Sequence, residues 1–197
     1  MQRRLIAKRI ERYKQPNVVR ANDARLLRLA GFIAAKAELN GDRGYIPKAI
    51  NNPRTLAERA ETRAHDFYKG VKNGQIKLLP DRQAFFDRIT DGVPEYYSWQ
   101  VSRNIENLRI FIERYHFRPR QISGRKKAKL TELEQQEQFL GVFVNDVLTG
   151  SIKNMTAAQR QEFDAALKGA PLFEEYYLCI YGRPYYSGYG FIPANEI

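Results

Sequence analysis

Apolar positions recur at helical spacing along most of this chain, separated by capping residues and Gly or Pro stops, so a mainly α fold is expected. The clearest stretch runs from about Glu95 to His116. Val101, Ile105, Leu108, Ile112 and Tyr115 fall there at i, i+4, i+7, i+11 and i+14, the expected spine of a core. Thr131 with Glu134 has capping-box spacing and opens a helix to Leu148 that buries Leu140, Phe143, Val144 and Val147. Thr156 with Gln159 repeats the device for a helix to Lys168, stopped by Gly169 and Pro171.

The N-terminal half reads similarly. A basic helix is expected from Gln2 to Lys14, with Ile6, Ile10 and Tyr13 on one face and Pro16 as its end. Asn22 is placed as the N-cap of a second helix to Leu39, closed by Asn40-Gly41. Leu26, Leu27, Leu29, Phe32 and Ile33 cover more than one stripe, which predicts a largely buried element. Asn52-Pro53 is read as the start of a third helix, with Leu56, Ala60, Ala64, Phe67 and Val71 inward and Asn73-Gly74 at its end. A short strand is expected over Gln75–Leu79, a short helix over Asp81–Thr90, and a turn at Asp91-Gly92.

The picture is one helical domain of about six helices, with at most one or two short strands. Residues 1–130 form a basic body with an N-terminal helical arm. Residues 131–197 form an acidic helical hairpin and an irregular tail rich in Tyr, Gly and Pro. Half of the twelve tyrosines lie in that tail, and Glu175–Tyr181 is expected as a strand. No internal repeat or low-complexity block interrupts the chain.

Charge changes the functional reading. The 197 residues carry 33 Lys and Arg against 22 Asp and Glu, a net +11. Residues 131–197 hold four basic and nine acidic residues, net −5, so residues 1–130 carry 29 against 13, net +16. A body of that density attracts phosphate-rich partners by counterion release. The expected contacts are Arg3, Arg4, Lys8, Arg9, Arg12 and Lys14 in the first helix, with Arg20, Arg25 and Arg28 following. Arg118, Arg120, Arg125, Lys126, Lys127 and Lys129 are the second group, in what reads as a mobile basic loop from Arg118 to Lys129. Tyr181, Tyr185, Tyr186, Tyr189 and Phe191 are expected to pack, against this chain or a neighbouring subunit.

Candidate chemistry is sparse. His65, His116 and Cys179 are the only soft metal-ligand types, too few for a zinc pattern. His65-Asp66 matches the central dipeptide of metal phosphohydrolases, but no histidine precedes it, so His65 is read as an exposed helix residue. No G-x-S-x-G elbow, Walker or Rossmann glycine loop occurs. His116-Phe117-Arg118-Pro119 places Pro where a tyrosine recombinase wants Arg. Helix-turn-helix, RNA-recognition, KH and zinc-finger signatures are absent. Cys179, in an apolar run, is expected to be a small buried hydrophobe.

The expectation is a non-enzymatic structural subunit of a nucleoprotein assembly, such as a virion-internal or connector protein or a ribosome-like particle component. It would bind DNA or RNA non-specifically and protein through its acidic end. A protein-only adaptor is the alternative, and a metal-dependent nuclease with scattered carboxylates the third reading. No cofactor and no membrane span are expected, since no apolar run approaches the ~18 residues that crossing needs. The basic amphipathic start lacks secretory-signal features, pointing to an intracellular or virion location. A mitochondrial presequence stays open.

Overall fold

A computed structural model describes residues 12–122 and 130–182. The helix expected at Gln2–Lys14 therefore lies almost wholly outside the described residues. The protein is mainly helical, with seven helices among the described residues: α1 Pro16–Asn40, α2 Leu56–Lys72, α3 Pro80–Thr90, α4 Tyr96–Tyr115, α5 Glu132–Leu148, α6 Ala157–Leu167 and α7 Phe173–Tyr181. The one β-type pairing among them is an isolated parallel bridge, Ile46 with Glu95. The strand expected at Gln75–Leu79 is instead a turn and coil, because Ile76 folds back, its N–H donating to the Gly70 carbonyl at 2.8 Å.

The chain divides into two compact units, residues 1–99 and 100–197, the division falling inside α4. In the first unit, Leu26, Leu29 and Ile33 of α1 meet Ala64, Phe67, Tyr68 and Val71 of α2, together with Phe86 of α3 and Ile46. Each large apolar side chain among them contributes roughly 1.5–3 kcal/mol by leaving water. α1 is not buried on more than one stripe as expected: Leu27 is 66% and Leu39 75% exposed. It also starts well before Asn22. Pro16 occupies its first turn, where a proline's missing N–H costs nothing, and Asn22 is buried within the helix.

The start of α2 is corrected too. Thr55, not Asn52, is the N-cap, its hydroxyl accepting from the Glu58 N–H while the Glu58 side chain accepts from the Thr55 N–H. Asn52 takes φ +55°, a turn conformation that Asn tolerates. Leu56 is exposed and Ala60 lies on the outer side with it.

The second unit is built on α4 as expected, except that Phe111 takes the core position expected of Ile112, which is only partly buried. Val101, Ile105, Leu108, Phe111 and Tyr115 pack with Leu140, Phe143, Val144 and Val147 of α5, Phe163 and Leu167 of α6, and Phe173 and Tyr177 of α7. Both capping boxes, Thr131 with Glu134 and Thr156 with Gln159, are formed.

The segment expected as a strand at Glu175–Tyr181 is helical. Phe173, Tyr177 and Tyr181 recur at i, i+4, i+8 and their rings pack in series, 5.9 Å and then 4.5 Å apart. Glu175 caps the helix start by accepting from the Leu172 N–H at 2.8 Å. These local gains override the β-propensity of a Tyr-rich run. Helical geometry also turns Cys179 outward: it is exposed, not the buried hydrophobe expected.

Candidate nucleic-acid interface

The charge redistributes once the units are drawn. Residues 1–99 hold 20 Lys and Arg against 11 Asp and Glu, net +9, while residues 100–197 hold 13 against 11, net +2. The net positive charge therefore belongs chiefly to the first unit.

α1 arranges part of it. At 3.6 residues per turn, Arg25, Arg28, Phe32 and Lys36 fall within a sector of about 80°. The helix's two acids, Asp23 and Glu38, lie outside that sector. Asp23 turns to the opposite flank and accepts from Arg82 Nε of α3 at 3.1 Å. Arg25 and Arg28 are exposed, and no ion pair or hydrogen bond neutralises them among the described residues.

The stripe continues into aromatic side chains. Lys36 Nζ lies 5.4 Å from the Phe32 ring centroid and 5.8 Å from that of Tyr45. Tyr45, buried on the loop after α1, packs against Phe32 at 5.9 Å, Tyr96 at 5.0 Å and Trp99 at 4.6 Å. Lys48 Nζ sits 4.0 Å over the Tyr96 ring. Burial opposes the charge on Lys48, but hydrogen bonding to Tyr96 and the nearby Glu61 carboxylate outweigh it and hold the ammonium above the usual lysine range.

The loop carrying Tyr45 and Lys48 is fixed by backbone geometry. Gly44 has φ +69°, and a Cβ there would stand 2.7 Å from the Ile33 carbonyl oxygen, so only glycine lets the loop approach α1 this closely. Asp42 accepts from the Gly44 N–H at 2.6 Å and from the Trp99 indole at 2.8 Å. The Ile46 N–H donates to the Pro94 carbonyl at 2.8 Å, tying the loop to the start of α4.

Of the residues expected to touch nucleic acid, Arg12 and Lys14 are exposed. Arg3, Arg4, Lys8, Arg9, Arg125, Lys126, Lys127 and Lys129 lie outside the described residues. Arg118 and Arg120 do not belong to a mobile loop, which corrects that reading for this stretch. Arg118 Nε donates to the Ala170 carbonyl at 2.8 Å, and the Arg118 backbone N–H donates to the Pro171 carbonyl at 2.9 Å. Arg120 pairs with Glu137 and lies 3.6 Å over the Phe173 ring. Both guanidiniums thus serve the second unit's interior. Tyr181 is half-buried against Tyr177, and Tyr185, Tyr186, Tyr189 and Phe191 lie outside the described residues.

His65, expected as an exposed helix residue, is on α2 but partly buried: its side chain is 21% exposed, with Nδ1 3.3 Å from Asp66. Among the described residues, no three His, Cys, Asp or Glu side chains gather as a metal site would require, and no helix is long and apolar enough to cross a membrane.

Sequence reasoning missed Lys36, Lys48, Tyr96, Tyr97 and Trp99. The signal was present in Tyr96-Tyr97-Ser98-Trp99, three aromatics in four residues including the chain's single tryptophan. No protein-family model, curated protein or solved structure matches this chain.

Proposed function

We propose that this chain is a non-catalytic structural subunit of a nucleoprotein assembly, holding nucleic acid non-specifically through the basic face of its first unit. The supporting observation is the acid-free stripe Arg25, Arg28 and Lys36, in which two exposed arginines have no partner among the described residues. Guanidiniums left unpaired on a unit of net +9 favour phosphate oxygens, and contacts of this kind position a backbone without reading sequence.

The test is fluorescence anisotropy with labelled DNA and RNA across a salt series. Micromolar or tighter binding should weaken steeply with salt. Arg25→Ser with Arg28→Ser should lower the slope of log affinity against log salt by about one for each phosphate that is no longer neutralised. A second variant, with Arg125, Lys126, Lys127 and Lys129 changed to Ser, tests the other basic segment. Undiminished binding at roughly 0.5 M salt would sink the electrostatic account.

A protein-only adaptor is favoured by a different observation. Phe139 on α5 is 52% exposed, and Leu178 and Ile180 on α7 are 50% and 44% exposed, apolar side chains of the kind that seat partners. Discrete oligomers in light scattering, with no nucleic-acid binding at low salt, would select that reading. The scattered-carboxylate nuclease has its own test: Mg²⁺-dependent cleavage that survives rigorous purification.

A further inference from the structure

We infer that the aromatic end of the basic stripe stacks an unpaired base, with Tyr97 as the platform, so that the preferred ligand is single-stranded nucleic acid. This rests on the phosphate-binding reading above and specifies its substrate class.

Tyr97 is 68% exposed, so its ring is accessible to a base, and a base needs only such a ring to stack on. It meets Tyr96 edge-on, with centroids 5.5 Å apart and planes at 73°. That contact steadies the ring, which stays largely open to solvent. Tyr96 is itself braced by Tyr45 and Trp99, so the platform is rigid before any ligand arrives and little ordering entropy opposes stacking.

Two lysines lie on the aromatic cluster that Tyr97 joins, and they suit the phosphates of a strand bound there. Lys48 lies over Tyr96, and Lys36 over Phe32 and Tyr45. The nearby carboxylates are already engaged. Asp42 accepts from the Trp99 indole and the Gly44 N–H, and Glu95 pairs with Lys69 at 3.0 Å and Lys72 at 3.5 Å. The charge of Glu95 is offset by its two lysines, that of Glu61 lies beside Lys48, and Asp42 is the one carboxylate of the three with only neutral donors. Aromatic stacking tolerates any base, because every base has a π face, but duplex bases are already stacked on one another and offer none to Tyr97. The stripe's cations serve both forms; the platform serves only the single strand.

The experiment uses the full chain with labelled oligothymidine, oligouridine and a mixed-sequence duplex at one salt concentration. Anisotropy gives affinity, and the fluorescence of Trp99, the chain's single tryptophan, reports on the aromatic cluster through its contact with Tyr96. Single strands should bind more tightly than duplex and change the Trp99 emission. Tyr97→Ser should weaken single-strand binding by about tenfold and leave duplex binding unchanged, while Tyr97→Phe should retain both. The ring is exposed, so unaltered circular dichroism is expected for each variant. Equal affinity for single strands and duplex, or single-strand binding that Tyr97→Ser leaves intact, would overturn the stacking inference while leaving the phosphate reading in place. No binding of any of the three at low salt would overturn both.

Discussion

Arg120 and Glu137 form an ion pair whose carboxylate is completely buried: Arg120 Nε donates to Glu137 Oε1 at 2.7 Å, and the side chains are 15% and 0% exposed. The Arg120 backbone N–H donates to the same oxygen at 3.2 Å, and a second guanidinium nitrogen reaches Oε2 at 3.3 Å. One carboxylate on α5 thus holds both the side chain and the backbone of the segment entering from α4. Replacing Arg120 by Ala would leave that carboxylate without its counter-charge, and the expected loss is about 3–5 kcal/mol. The double variant Arg120→Ala, Glu137→Leu should recover part of it: no charge is left desolvated, but the backbone N–H of residue 120 loses its acceptor. Urea denaturation of the two variants measures the difference. Equal loss in both would show that the salt bridge is not what anchors the segment.

Gly141 lies where the same segment crosses α5. A Cβ there would collide with the Arg120 carbonyl group and stand 2.7 Å from the Gln121 backbone nitrogen. A protein normally gains about 1 kcal/mol when a helical glycine is replaced by alanine. Gly141→Ala should instead destabilise by roughly 1–3 kcal/mol. Gly31, in the middle of α1 with nothing within 4 Å of its would-be Cβ, is the control: Gly31→Ala should stabilise by about 0.5–1 kcal/mol. Opposite signs for the two substitutions, read by thermal or chemical unfolding, are the expected result.

Glu95 is held below the usual carboxylate range, first by its hydrogen bond to Lys69 and then by the fields of Lys69 and Lys72, against the opposing effect of burial. A lowered folded-state pKa means that the ionised carboxylate stabilises the fold at pH above about 4.3, its unfolded value, and that this contribution fades as pH falls through the lower folded value. An NMR titration of the Glu95 carboxyl should show the depressed midpoint, and Lys69→Met should move it upward. The stability gap between the parent chain and Glu95→Gln should close in acid. The pair is half-exposed, so the gap is small and shrinks with added salt.

Cys179 offers a check on α7. Its thiol is exposed, so it should react with a chromogenic disulfide reagent in the folded protein at nearly the rate seen in denaturant. Protection by several orders of magnitude would return it to the buried position that a strand reading assigns.

Most helices are legible in the sequence because the rules that set them act over three or four residues. Thr131 with Glu134 and Thr156 with Gln159 cap locally, Gly41 takes its left-handed φ of +66° as the pair Asn40-Gly41 announces, and the α4 periodicity reads off one face. Where two local signals competed, the chain's wider packing chose. Asn22 lost its cap role because the helix starts six residues earlier, with Pro16 in its first turn and the Val19 N–H donating to the Gln15 carbonyl at 2.9 Å, and Asn52-Pro53 yielded to Thr55 with Glu58.

The sequence by itself determined the helical class, the capping boxes of α5 and α6, most core positions of α4 and α5, and an excess of positive charge. Only the tertiary structure decided where that charge is free to act. Arg118 and Arg120 look identical in kind to Arg25 and Arg28 along the chain, yet the first pair is consumed by a carbonyl and a buried carboxylate while the second has no partner among the described residues. The aromatic cluster, likewise, joins Phe32, Tyr45, Tyr96 and Trp99 from three separate segments. Local propensity fixes which residues share a helix face; which faces meet depends on contacts between residues far apart in sequence, and those arise only once the chain has closed on its cores.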